Sequence, residues 1–119
     1  MPGELAARGE ELASELLVRN GWTIVERNYR FGRGEIDIIA LDGGVTVFVE
    51  VKTRLSTEYG PPEYAVTPSK QRQIVKVARG YLFERQLAEC ECRFDVVTVE
   101  FIRGTPSFNH IRNAFMEGS

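Results

Sequence analysis

The stretch that decides the fold is Gly34-Glu35-Ile36-Asp37-Ile38-Ile39-Ala40-Leu41-Asp42-Gly43-Gly44-Val45-Thr46-Val47-Phe48-Val49-Glu50-Val51-Lys52. Two β-branched runs, Ile36–Leu41 and Val45–Lys52, flank Asp42-Gly43-Gly44, which predicts a hairpin. Side chains alternate along a strand, so Val45, Val47, Val49 and Val51 face one way while Phe48, Glu50 and Lys52 face the other. A carboxylate and an ammonium thus stand together on one face of a strand whose opposite face is core. On the first run Asp37 sits among Ile36, Ile38 and Ile39, a costly place for an unpaired charge. Two registers are open. With Gly43-Gly44 as the turn, Asp42 pairs with Val45 and Asp37 lies opposite Glu50, their Cβ atoms about 4.5–5.5 Å apart. With Asp42-Gly43 as the turn, Glu35 faces Glu50 and Asp37 takes the diagonal. Both cluster acids.

Two carboxylates that close must share a proton, pair with a cation or coordinate a metal. Hard oxygen ligands without clustered His or Cys favour Mg²⁺ or Mn²⁺ over zinc. Magnesium takes one or two protein carboxylates and fills its shell with water and substrate phosphate, which suits so sparse a set. Lys52 beside it can steer or deprotonate an attacking water or stabilise charge in a phosphoryl transition state.

Outward from the hairpin, residues 4–19 read as a helix, with Leu5, Gly9, Leu12 and Leu16 at helical spacing, Ala13 and Leu17 widening the stripe, and Asn20-Gly21 as the stop. Glu10 falls on the flank of that stripe next to Ala6, Ala13 and Leu17 and can look toward the sheet. Glu11 points nearly opposite, to water. A first strand is expected over Trp22–Val25, followed by a glycine-punctuated turn at residues 29–34. Glu35 is open between a ligand and a charge at the start of the strand.

Beyond the hairpin, Thr53 to Val66 has no periodicity around Gly60-Pro61-Pro62, and an unpatterned loop that long is expected to act as a lid or to meet substrate. Its Tyr59 and Tyr64 read first as surface residues and second as base-stacking ones. Thr67 caps a second helix with Pro68 in its first turn. Ile74, Val75, Ala78, Tyr81 and Leu82 form the apolar face of that helix, and Arg72, Lys76 and Arg79 share the opposite arc. Gln71 turns toward the apolar side. Phe94–Phe101 alternates as a further strand, and residues 104–119 are poorly patterned. The order α-β-β-β-α-β indicates an α/β fold, a mixed sheet with helices packed on it, as one domain over residues 1–119.

Gly34-Glu-Ile-Asp-Ile-Ile-Ala40 followed by Val47-Phe-Val-Glu-Val-Lys-Thr-Arg54 resembles the YraN-like family, uncharacterised protein family 0102. Members of that family are similar to archaeal Holliday-junction resolvases of the PD-(D/E)xK nuclease superfamily. The likeness extends to Gly9-Glu10-Glu-Leu-Ala13, Arg27-Asn28-Tyr29-Arg30, Lys70-Gln71, Tyr81-Leu82 and Asn113-Ala114-Phe115. It implies a restriction-endonuclease-like fold and a metal-dependent endonuclease acting on DNA, with branched DNA as substrate and a homodimer as further expectations. Asp37 would be the motif aspartate, Glu50 and Lys52 the E-x-K pair, Glu10 the helix acid and Gln71 an auxiliary polar residue. Ile36 stands where the superfamily carries proline. A non-catalytic DNA-binding or adaptor module on the same scaffold is the alternative.

Composition narrows the DNA reading. The 119 residues carry 15 basic and 17 acidic side chains, a net charge of −2, with 43 % hydrophobic and 27 % charged residues. Bulk electrostatic coating of nucleic acid calls for a strongly basic chain, whereas the pI here is near 5.5. The charge is uneven, because residues 67–86 hold five basic groups against Glu84 alone. Phosphate contacts are expected from Arg30, Arg33, Arg54, Lys70, Arg72, Lys76 and Arg79, with Arg27 beside them. The N-terminus shows no secretory pattern and no apolar run reaches membrane length, so a cytoplasmic protein without membrane contact is expected. Cys90 and Cys92 read as reduced structural thiols, and His110 as structural or surface.

Overall fold

The computed structural model describes residues 3–55 and 66–116. Among them run α1 (Glu4–Arg19), β1 (Thr23–Phe31), β2 (Gly34–Asp42), β3 (Val45–Arg54), α2 (Pro68–Glu84), β4 (Cys92–Ile102) and β5 (Thr105–Phe115). The five strands make one sheet in the order β1-β2-β3-β4-β5. Neighbours are antiparallel except β3 and β4, which run parallel and are joined across α2. A parallel pair needs such a crossover, and the helix inside it must cover one sheet face.

Each helix seals one face. Ala13 and Leu17 of α1 pack with Trp22, Ile38, Ala40, Val47, Val49, Val97, Val99 and Phe101. Ile74, Val77, Ala78 and Tyr81 of α2 pack with Ile36, Ile39, Phe48, Phe94 and Phe115 on the other side. There Phe48 stacks on Phe94 at 5.4 Å and meets the edge of Tyr81 at 5.9 Å. The helix ends follow their capping residues. Gly21 leaves α1 at φ +91°, and Thr67 Oγ1 accepts the Lys70 N–H at 3.2 Å to start α2.

α1 comes close to the sheet because Gly9 has no side chain. A Cβ there would collide with the side chain of Thr53 on β3. Gly34 likewise admits Val77 of α2 against the start of β2.

Two expectations need correction. Residues 104–119 contain a full edge strand, β5, hidden by Pro106, Ser107, Asn109 and Asn113, all weak strand formers. It is held by Phe115 stacked on Phe94 at 5.0 Å and by His110 Nε2 bonded to Asp95 Oδ2 at 2.8 Å. β1 also runs on to Phe31 instead of ending at Val25, so most of the expected 29–34 turn is strand and only Gly32-Arg33 turns. Its alternation is broken by Asn28, which is in the left-handed region at φ +53°. The Gly60-Pro61-Pro62 segment with Tyr59 and Tyr64 lies outside the described residues.

Candidate active site

The β2–β3 ladder runs from Asp42 opposite Val45 to Ile38 opposite Val49. That is the Gly43-Gly44 register, with Gly43 at φ +62°, and it brings Asp37 level with Glu50. Beyond Ile38 the backbone pairing gives way to a side chain. The Val51 N–H donates to Asp37 Oδ2 at 2.8 Å, so a carboxylate takes the donor that a continuing ladder would have used. β3 continues to Arg54 against β4 alone, with Glu50 beside Val96 and Lys52 beside Thr98.

The Asp37 and Glu50 carboxyls are hydrogen-bonded to each other. Burial and then the charge of Asp37 push Glu50 up to about 8, despite the opposing charges of Lys70 and Lys52. Burial also raises Asp37, against the bonds from Val51 and Glu50. Two carboxyls so placed hold a proton near neutral pH. The opposing cations come from both sides. Lys52 is on β3 and Lys70 in the first turn of α2, so Lys70 acts on the carboxylate pair besides any contact with phosphate.

Glu10 reaches the same place from α1. Only 6 % of it is exposed. Burial and then Asp37 raise its pKa, while Asn28 and Arg27 oppose the rise. Glu11 points outward and pairs with Arg27 at 2.8 Å. With the Asn28 amide oriented by its neighbours, Nδ2 donates to Glu10 Oε1 at 2.9 Å and to Glu35 Oε1 at 2.8 Å. Sequence reasoning passed over Asn28 as a site residue. The available signal was its type, since asparagine tolerates the left-handed backbone better than most residues.

Other expected residues are engaged elsewhere. Gln71 Nε2 donates to the Val66 carbonyl at 2.7 Å and so fixes the chain entering α2. Arg30 pairs with Glu35 at 3.3 Å, and Arg54 lies 3.6 Å from the buried Glu100. Arg33 is exposed at the β1–β2 turn, and Arg72, Lys76 and Arg79 line the exposed side of α2.

The donor set suits a hard divalent cation such as Mg²⁺ or Mn²⁺. Two carboxylates already close enough to share a proton can exchange that proton for a metal ion, and oxygen is the ligand such ions prefer. Among the described residues no three His, Cys, Asp or Glu side chains form a ready-made cage. The set is therefore the Asp37–Glu50 pair, with Glu10 alongside but bonded to Asn28.

These features define an α/β protein whose central hairpin carries an aspartate and a Glu-x-Lys pair between two helices. The chain belongs to the uncharacterised protein family UPF0102, whose model matches residues 9–99. It is 53 % identical over 112 residues to a UPF0102 protein of Geobacter metallireducens, covering 93 % of this chain and 91 % of that one. It is 50 % identical over 98 residues to one of Chlorobium phaeobacteroides, covering 82 % and 77 %. Among the described residues, Cys90 and Cys92 form no disulfide and no helix is long and apolar enough to cross a membrane.

Proposed function

We propose that this protein is a metal-dependent endonuclease that hydrolyses DNA phosphodiester bonds, on a resolvase-like version of the PD-(D/E)xK nuclease fold, with branched or structured DNA as substrate. The observation that carries the reading is the half-buried, mutually bonded Asp37–Glu50 pair, with Glu50 raised to about 8 and two lysine charges turned on it. Burying two acids together is costly, and proteins keep such arrangements mainly where chemistry uses them.

Asp37 and Glu50 would hold Mg²⁺ or Mn²⁺, assisted by Glu10; when bound, the ion supplies Lewis acidity and a more acidic water. Lys52, beside Glu50, is placed to orient a water or to offset charge growing on a phosphate oxygen. Lys70 adds a second positive charge from α2, and the exposed Arg72, Lys76 and Arg79 extend it as a surface for backbone phosphates.

The test is cleavage of four-way-junction, flap and plain duplex DNA with Mg²⁺ or Mn²⁺. Asp37→Ala is expected to abolish cleavage while leaving the circular dichroism spectrum intact. Unchanged cleavage in folded Asp37→Ala and Glu50→Ala variants would overturn the proposal.

The exposed basic side of α2 favours a second reading, a non-catalytic DNA-binding or adaptor protein. In that case binding survives Glu50→Ala but weakens in the Arg72→Gln, Lys76→Gln, Arg79→Gln triple variant. The slope of log affinity against log salt should then become shallower by about 0.9 for each phosphate that the variant leaves unneutralised.

A further inference from the structure

Asn28 ties three elements together at the carboxylates. The β1–β2 pairs Arg27–Ile38 and Tyr29–Ile36 bracket it, so it stands across from Asp37. Its φ of +53° is unusual for a residue other than glycine, and such a conformation persists where its surroundings demand it. A sharp change in the sheet accompanies it. Ile36 packs in the core under α2 while Ile38, two residues on, packs in the core under α1, although residues two apart on a regular strand share a face.

What this backbone gains is the direction of one amide. The two hydrogens of Nδ2 serve two carboxylates from two elements, Glu10 of α1 at 2.9 Å and Glu35 of β2 at 2.8 Å. Glu10 and Glu35 repel each other, and Glu10 is also repelled by Asp37. An acceptor at position 28 would drive them apart, and a side chain without polar atoms would let Glu10 swing away. Gly9, packed on Thr53, sets the height of α1 above the sheet. The amide then sets where the Glu10 carboxylate lies.

We infer that Asn28 is a positioning residue that holds Glu10 beside the Asp37–Glu50 pair as its third carboxylate, an inference that rests on the reading of this pair as a metal site. It acts through Glu10, since its amide nitrogen is committed to the two carboxylates. Second-sphere partners of this kind change metal affinity by about 10–100-fold when removed.

Two measurements test it. Asn28→Gly keeps the left-handed backbone and deletes the amide, and Asn28→Asp keeps the shape and turns the donor into an acceptor. Calorimetric titration with Mn²⁺ alone should show affinity lowered at least about tenfold in both variants. In a Glu10→Ala background, Asn28→Gly should have no further effect, because both changes remove the same interaction. Separately, ¹⁵N–¹H spectra of chains that keep Asn28 should show one of its side-chain protons shifting on Glu10→Ala and the other on Glu35→Ala. Asn28 resonances that ignore Glu10→Ala, or wild-type Mn²⁺ affinity in folded Asn28→Gly, overturn the inference. A wild-type chain that binds no Mn²⁺ while the Asn28 resonances respond as expected sinks the metal reading and leaves the amide clamp standing.

Discussion

At the scale of single residues, Glu50 concentrates the conflict between stability and chemistry. Its carboxyl is raised from 4.5 to about 8, so the folded state binds a proton that the unfolded chain releases. The resulting stabilisation is complete below the unfolded value and disappears as pH rises through about 8. Glu50→Gln, which cannot ionise, should therefore melt higher than the wild type at pH 9, by about 4 °C or more, and the gap should close toward pH 4. Differential scanning calorimetry across that range checks it. Under the proposed nuclease reading, the same variant should also lose DNA cleavage by about 100-fold or more.

Much of this site was legible in the sequence, because a strand's period of two and a two-residue turn fix which side chains meet. Asp37, Glu50 and Lys52 group together in either of the two registers the turn leaves open, the ladder selects the Gly43-Gly44 one, and helical periodicity placed Glu10 and Glu11 on the correct sides of α1. Asn28 and Lys70 were missed as members of the cluster because their positions depend on a left-handed residue and on the approach of a distant helix. Neither leaves a periodic trace.

Elements are placed here by what is missing from side chains as much as by what they contain. α1 sits low enough for Glu10 to reach Asn28 only because position 9 is glycine. Gly9→Ala should therefore cost about 1–3 kcal/mol through forced movement against Thr53, and displace Glu10 with the helix. Gly44→Ala, with nothing within 4 Å and no positive φ, is the control and should be nearly neutral. Urea unfolding of the two variants compares them directly. α1, β2, β3 and α2 could be drawn from sequence because their apolar periods are clean. β5 could not, since what holds it is a set of partners on β4 and not a pattern of its own.

At the scale of the whole molecule, a second polar cluster ties the sheet's far strand to its middle. Asp95, with no side-chain exposure, takes bonds from His110, from Arg93 at 3.0 Å and from the Asn113 N–H at 3.1 Å. Arg93 also lies 5.1 Å over the ring of Trp22 and 3.2 Å from Asp42. Burial alone would raise Asp95, but the bonds from His110, Arg93 and Asn113 prevail and lower it. A depressed carboxylate contributes stability above its unfolded pKa and loses it as pH falls through its folded one. Acid should thus loosen β5 from β4, and Asp95→Asn should cost about 3–5 kcal/mol at neutral pH while flattening the acid limb of the stability profile. Denaturant melts between pH 2 and 7 give both readings.

The hairpin has a consequence for the order of folding. Val51 and Asp37 are only 14 positions apart and meet through a two-residue turn, so that contact can form on the microsecond scale of isolated hairpins. The parallel β3–β4 pairing must wait for the α2 crossover, and α1 and α2 are what shut water away from the acids. If the hairpin forms in that order, the two carboxylates meet while hydrated and ionised and take up their shared proton when the helices dock. Between pH 4.5 and about 8, proton uptake would then mark the closing of the molecule and not its first collapse.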